Sequence, residues 1–177
     1  MGMLVAMAEV FAEAGLTVLR CNLPFRQKRP FGPPRPNEAV RDREGLKHAV
    51  AAMRKIVDGR VFLGGQSYGG RQASMLLAEE PIAEGLLLFS YPLHAPSRPD
   101  QPRIEHLPKL HVPVLFVEGT RDPFASVEEI ERARKLVSAK TELLIVEGAG
   151  HDLGFKGKTK REEFPHRVLE EFHKFFG

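Results

Sequence analysis

The octapeptide Gly64-Gly65-Gln66-Ser67-Tyr68-Gly69-Gly70-Arg71 contains the spacing Gly-x-Ser-x-Gly, set between an apolar run, Val61-Phe-Leu-Gly64, and a segment of helical pattern reaching about Glu79. A serine at such a strand-to-helix turn is exposed, and glycines two residues either side let neighbouring backbone approach without Cβ clashes. The start of the following helix places partial positive charge near any oxyanion that forms. A hydroxyl is a poor nucleophile at neutral pH and needs a base, which in turn needs an orienting acid. Two later apolar runs end in loops that offer them: Thr120-Arg121-Asp122-Pro123-Phe124, and Glu147-Gly-Ala-Gly-His151-Asp152. The chemistry these types point to is nucleophilic acyl transfer, with Ser67 attacking, His151 moving the proton and Asp122 orienting the imidazole.

Each member also has a plainer reading. The glycine-serine spacing recurs by chance, Asp122 before a proline fits a turn former, and His151 is one of seven histidines. Agreement between three loops and one chain order, Ser then Asp then His, favours the chemical reading. Tyr91 and His94 follow another apolar run and are candidate substrate-binding residues; they either line the same edge or pack beneath the loop from Ala95 to His111. The Tyr68 ring is a candidate pocket wall, and Arg71 a candidate anchor for neighbouring loops. Lys156, Lys158, Lys160 and Arg161 form a cationic run after His151. That run either steers anionic acyl substrates or is a solvated loop.

The elements that must position these residues alternate. Leu4, Met7, Phe11 and Ala14 recur at helical spacing with Gly15 as a stop, which predicts a helix over 3–14. Thr17–Asn22 reads as a strand, and Pro24–Pro36 as a loop. Leu46, Ala49, Val50, Met53 and Val57 mark one face of a helix that begins near Asn37 and is closed by Asp58-Gly59. Strands follow at Val61–Gly64, Leu86–Tyr91, Val114–Val117 and Leu143–Val146. Ser126 with Glu129 forms a capping box for a helix to about Ser138, and Val168, Leu169, Phe172, Phe175 and Phe176 mark a closing helix. Five short apolar strands alternating with helices predict an α/β fold: a three-layer sandwich around a mainly parallel sheet, in a single domain spanning 1–177. The ends of parallel strands share one sheet edge, so Ser67, Asp122 and His151 are expected to converge there.

Composition narrows the function classes. A chain of 177 residues suffices for one domain with a real core, and 42% hydrophobic with 28% charged residues excludes a disordered or disulfide-scaffold protein. Cys21 is the single cysteine, so no internal bridge forms, which fits a reducing cytoplasm. The longest uncharged apolar stretch, Gly85–Leu93, is too short to cross a bilayer. The first basic residue is Arg20, against a secretory leader, and Ala6 stands where a myristoylation signal wants Ser or Thr. A net charge of +3 without interleaved aromatics or a recognition motif does not favour nucleic acid. No histidine or cysteine spacing suits zinc, and no phosphate or dinucleotide loop is present, so neither metal nor cofactor is expected. The expected partner is a small-molecule acyl substrate; the oligomeric state stays open, self-association included.

Gly64–Arg71, Ser90-Tyr91-Pro92-Leu93-His94, Gly119–Phe124 and Gly148–Leu153 together resemble the α/β-hydrolase superfamily near the dienelactone-hydrolase-like proteins. The similarity is greatest to the branch of testis-expressed and NSL-complex-subunit hydrolase-like proteins and their bacterial relatives, and it covers essentially the whole chain. It implies Ser67 as nucleophile, His151 as general base, Asp122 as its partner and the Tyr68 backbone N–H as an oxyanion donor. A branch member that is a chromatin-complex subunit also keeps open a non-catalytic interaction module. The resemblance further implies upstream strands, one ending in a His-Gly-rich loop that supplies a second oxyanion donor, which this chain does not show. One such strand lies in the family between the counterparts of Thr17–Asn22 and Val61–Gly64. Those two segments either close up against each other, or another chain fills the gap, or the sequence is a shortened version of a longer protein; the last is favoured. A version extended upstream is then expected to hydrolyse simple esters faster, since one such donor is worth on the order of 10² to 10³ in rate.

Overall fold

Leu86, Leu88, Val114 and Phe116 belong to one apolar core, and Leu87, Phe89, Leu115 and Val117 to another. This is the period-two alternation of strands buried on both faces. In the computed structural model, which describes residues 2–154 and 163–177, the strands are β1 (Phe62–Gln66), β2 (Gly85–Phe89), β3 (Val114–Gly119) and β4 (Thr141–Val146). They pair in parallel in the order β1-β2-β3-β4, with Gly65 opposite Leu88 and Phe116 opposite Leu143. Parallel neighbours need crossovers, and helices supply most of them. The helices are α1 (Met3–Glu13), α2 (Pro24–Lys28), α3 (Ala39–Met53), α4 (Tyr68–Glu79), α5 (Val127–Arg134) and α6 (Glu163–Phe176). Leu46 of α3, Ala73, Leu76 and Leu77 of α4, and Ile130 of α5 pack on one face of the sheet. Met3, Met7 and Phe11 of α1, with Val168, Phe172 and Phe176 of α6, pack on the other. The result is the three-layer α/β sandwich predicted above.

Local signals set several boundaries. Ser126 Oγ accepts from the Glu129 N–H at 3.2 Å while the Glu129 carboxylate accepts from the Ser126 N–H at 2.8 Å, so the capping box starts α5 as read. The helix is shorter than expected, ending at Arg134. The proline-rich stretch is not all loop: Pro24 takes the first position of α2, where its missing N–H is no loss.

Thr17–Asn22 is not a strand, and among the described residues the sheet has four strands rather than five. A strand needs a ladder partner for its backbone groups. Here Thr17–Asn22 is exposed, and it shares with β1 the lining of a groove of about 1020 Å³ instead of pairing with it. The two segments therefore do not close up against each other. Among the described residues no helix is long and apolar enough to cross a membrane. The cationic run Lys156–Arg161 lies outside the described residues.

Candidate active site

Ser67 sits between β1 and α4 with φ 51° and ψ −123°, a conformation that costs a non-glycine residue of order 1–3 kcal/mol and is kept only where surroundings over-determine it. What over-determines it is close backbone packing. The Ser67 N–H donates to the Phe89 carbonyl at 2.9 Å, and the Arg71 N–H to the Ser67 carbonyl at 3.0 Å. A Cβ at Gly65 would lie 2.6 Å from the Gly70 nitrogen, and one at Gly70 would lie 2.5 Å from the Gly65 oxygen. The two glycines thus let the first turn of α4 lie directly on the end of β1. Tyr68 is the first residue of α4, so its N–H is one of the donors a helix start leaves without an internal partner.

The loops after β3 and β4 interlock. Gly119 faces the Ala149 carbonyl so closely that a Cβ there would run into it, and the Arg121 N–H donates to that carbonyl at 2.8 Å. The Gly148 N–H donates to Thr120 Oγ1 at 2.8 Å. Gln66 Nε2, from the end of β1, donates to the His151 carbonyl at 3.1 Å. These bonds carry His151 across 84 positions of sequence to Ser67 and 29 to Asp122. Its Nε2 lies 2.8 Å from Ser67 Oγ and its Nδ1 lies 2.7 Å from Asp122 Oδ2. The Phe124 ring lies 4.3 Å from the imidazole, centre to centre, at 34°.

Asp122 keeps its charge despite a fully buried side chain. Burial alone would raise its pKa, but hydrogen bonds from His151, the Phe124 N–H and Glu118 hold it below the ordinary carboxylate range. An ionised carboxylate only accepts, so Nδ1 of the neutral ring carries the proton and donates it to Asp122. The lone pair on Nε2 then faces the Ser67 hydroxyl, which donates to it. The arrangement can remove a proton from Ser67, hold it as an imidazolium beside a buried anion, and return it to a leaving group.

Tyr91 and His94 are placed elsewhere. Tyr91 is 1% exposed, stacks edge-on against Phe116 at 6.2 Å, and its hydroxyl donates to the Arg103 carbonyl at 3.1 Å. Burial raises its pKa to about 12. His94 is buried too, with Nδ1 3.0 Å from the Ala95 carbonyl and Nε2 3.3 Å from Glu129. Neither lines the groove that opens on Ser67. Both pack beneath the loop, because Ser90 at φ 48° turns the chain where β2 ends. The Tyr68 ring does line the groove, and its hydroxyl donates to Asp42 Oδ2 at 2.8 Å. Arg71 is not the loop anchor expected: its Nε is buried with no acceptor among the described residues.

Two carboxyl groups escaped the sequence reading. Asp42, fully buried on α3, accepts from the Phe25 N–H at 2.9 Å as well as from Tyr68, and so ties α2 and α3 to the start of α4. Its signal was an acid on the face that carries Leu46, Ala49 and Val50. Glu118, also fully buried, accepts from the Tyr91 N–H at 3.0 Å and touches Asp122. Burial, with the adjoining Asp122 charge, raises its pKa to about 10. Its signal was a lone acid closing the apolar run Val114-Leu-Phe-Val.

Solved structures share this architecture. An alpha-beta serine hydrolase homologue from Coxiella burnetii superposes with a TM-score of 0.72 at 19% identity, covering 96% of this chain and 75% of its own. The metagenome-derived lipolytic enzymes LipS and LipT give 0.73 at 18%, over 97% and 88%. MGS-MChE2, an alpha/beta hydrolase enzyme from the metagenome of lagoon sediments of Mar Chica, Morocco, gives 0.71 at 20%, over 96% and 83%. At these identities the likeness establishes the fold. The family model described as an alpha/beta hydrolase domain matches residues 2–176, nearly the full length, and the chain belongs to that family.

Proposed function

We propose that this protein is a serine hydrolase acting on an ester or related acyl bond, with Ser67 as nucleophile, His151 as general base and acid, and Asp122 as the group that fixes the imidazole tautomer. The observation that carries the reading is the continuous hydrogen-bonded relay from Ser67 Oγ through His151 to Asp122, at 2.8 and 2.7 Å, on a serine held at φ 51°. Ser67 Oγ attacks the acyl carbonyl as its proton passes to Nε2. The carbonyl oxygen gathers negative charge against the Tyr68 N–H and the start of α4. The imidazolium then gives its proton to the departing alcohol, leaving an acyl-enzyme. Water, deprotonated by the same Nε2, cleaves the acyl-enzyme and restores Ser67. Asp122 stays ionised throughout and stabilises the imidazolium.

The resemblance of the motifs Gly64–Arg71, Gly119–Phe124 and Gly148–Leu153 supports assigning it to the dienelactone-hydrolase-like proteins, near the testis-expressed and NSL-complex-subunit branch. The proposed partner is a small acyl substrate, met in the cytoplasm. A fluorophosphonate probe tests the reading. The folded chain is expected to label at Ser67, with labelling lost in Ser67→Ala and reduced at least about 10³-fold in His151→Ala. Labelling that survives in Ser67→Ala overturns the assignment of Ser67, and a folded chain that stays unlabelled favours a non-catalytic scaffold.

A further inference from the structure

Asp122 shares its buried site with a second carboxyl group. Glu118 is 0% exposed, and its Oε2 accepts from the Tyr91 N–H at 3.0 Å. Its other oxygen, Oε1, is also buried and finds no donor among the described residues. The side chain in hydrogen-bonding contact with Glu118 is Asp122, whose own oxygens are engaged: Oδ1 accepts from the Phe124 N–H at 2.8 Å and Oδ2 takes His151. Two ionised carboxylates in such contact would put like charges together with no proton between them, and both would be desolvated.

We propose that Glu118 is a neutral carboxylic acid that donates its proton to Asp122, and that it is a positioning residue which holds the Asp122 carboxylate in line with His151. One proton resolves the two problems together. The buried oxygen without a donor becomes a donor, and the pair carries one negative charge rather than two. Of the groups facing Glu118, the Tyr91 and Gly119 amides favour the ionised form, and burial together with Asp122 from the following turn outweighs them. His151, from the loop after β4, stands on the far side of Asp122. From α5, Glu129 is held by the Ser126 N–H and His94. The raised pKa described above is the same balance seen from the proton's side.

The catalytic role rests on the hydrolase reading, whereas the proton's location does not, and two measurements separate them. Glu118→Ala removes the donor and is expected to lower kcat about 10- to 100-fold with KM little changed. Glu118→Gln supplies an N–H in place of the O–H and is expected to restore kcat to within about threefold, with the acid limb of the kcat/KM profile unmoved. Were Glu118 ionised, Glu118→Gln would delete a negative charge near His151 and move that limb down by about a unit. The second measurement needs no activity. A carboxyl group that keeps its proton when folded and loses it when unfolded makes stability fall as pH rises above about 4.5. The urea midpoint of the wild type is therefore expected to fall from about pH 5 to about pH 9, and that of Glu118→Gln to fall less. Equal pH slopes, or a displaced acid limb in Glu118→Gln, overturn the proposal. A differing slope in a chain without esterase activity upholds the proton's place and removes the hydrolase reading.

Discussion

The centre of the sheet and its edges are built to different standards. Every residue of β2 and β3 is buried, whereas the edge strands β1 and β4 are half-buried, with Gly64 of β1 exposed beside the groove it shares with Thr17–Asn22. The loop of Asp122 leaves the central strand β3 and that of His151 the edge strand β4, and backbone amides cross-link the two. Ser67 directly follows β1, its N–H bonds to Phe89 of β2, and the preceding Gln66 bonds to His151. Ser67, the proposed nucleophile, is therefore held by β2 and by the loop after β4, while the groove lies at the β1 edge. Catalytic geometry needs errors below about 0.5 Å, which loops bonded to one another and to the central strands can meet.

The largest effect that would sharpen this contrast lies in the loop that leaves the buried centre, at Asp122. Asp122→Asn preserves shape but presents an amide N–H to Nδ1, so the ring takes the tautomer with its proton on Nε2 and no longer accepts from Ser67. A fall in kcat on the order of 10⁴ is expected for an ester substrate, with thermal unfolding little changed. A loss below about tenfold would show that the relay does not set the rate.

Next in size is a stability comparison between the buried centre of the sheet and the exposed groove. Leu115, 0% exposed in β3, packs in the core with Val117 and Val168. Leu115→Ala is expected to cost about 3 kcal/mol in urea unfolding, from lost burial and the cavity left behind. Leu19, 46% exposed, should change stability by no more than about 0.5 kcal/mol when cut to alanine. A large loss at Leu19 would mean that the groove side is as closed as the other.

The same contrast explains what was legible in the sequence. Chain order and strand ends brought Ser67, Asp122 and His151 together because a parallel sheet leaves little choice of edge. The capping box at Ser126 was legible because it is local. Thr17–Asn22 has a strand's composition, but a strand is a property of two segments, and none of the described residues pairs with it as a strand. For Tyr91 and His94 the sequence left two readings open, lining the edge or packing beneath the loop, and the second holds where Ser90 adopts a positive φ at the end of β2. Glu118 and Asp42 were hidden for the opposite reason: each sits in an otherwise apolar pattern that reads as core.

The smallest effect lies beneath the loop that covers Tyr91. His106 Nε2 is 2.8 Å from Ser74 Oγ and 3.4 Å from the Tyr91 hydroxyl. Burial lowers its pKa to about 4, helped by the Arg71 charge and, more weakly, Arg43, against an opposing pull from Glu105. A base whose pKa is depressed on folding binds protons more readily when unfolded, so its stability contribution is complete above about pH 6.5 and is lost as pH falls toward about 4. Because the ring is only partly buried, the loss is on the order of 1 to 2 kcal/mol rather than the full shift. The urea midpoint of the wild type should therefore decline over that interval, and His106→Gln should flatten the decline while leaving labelling at Ser67 intact. A decline of equal steepness in His106→Gln would assign the acid sensitivity to the ionised carboxylates, Asp122 foremost, and locate it in the active-site loops instead.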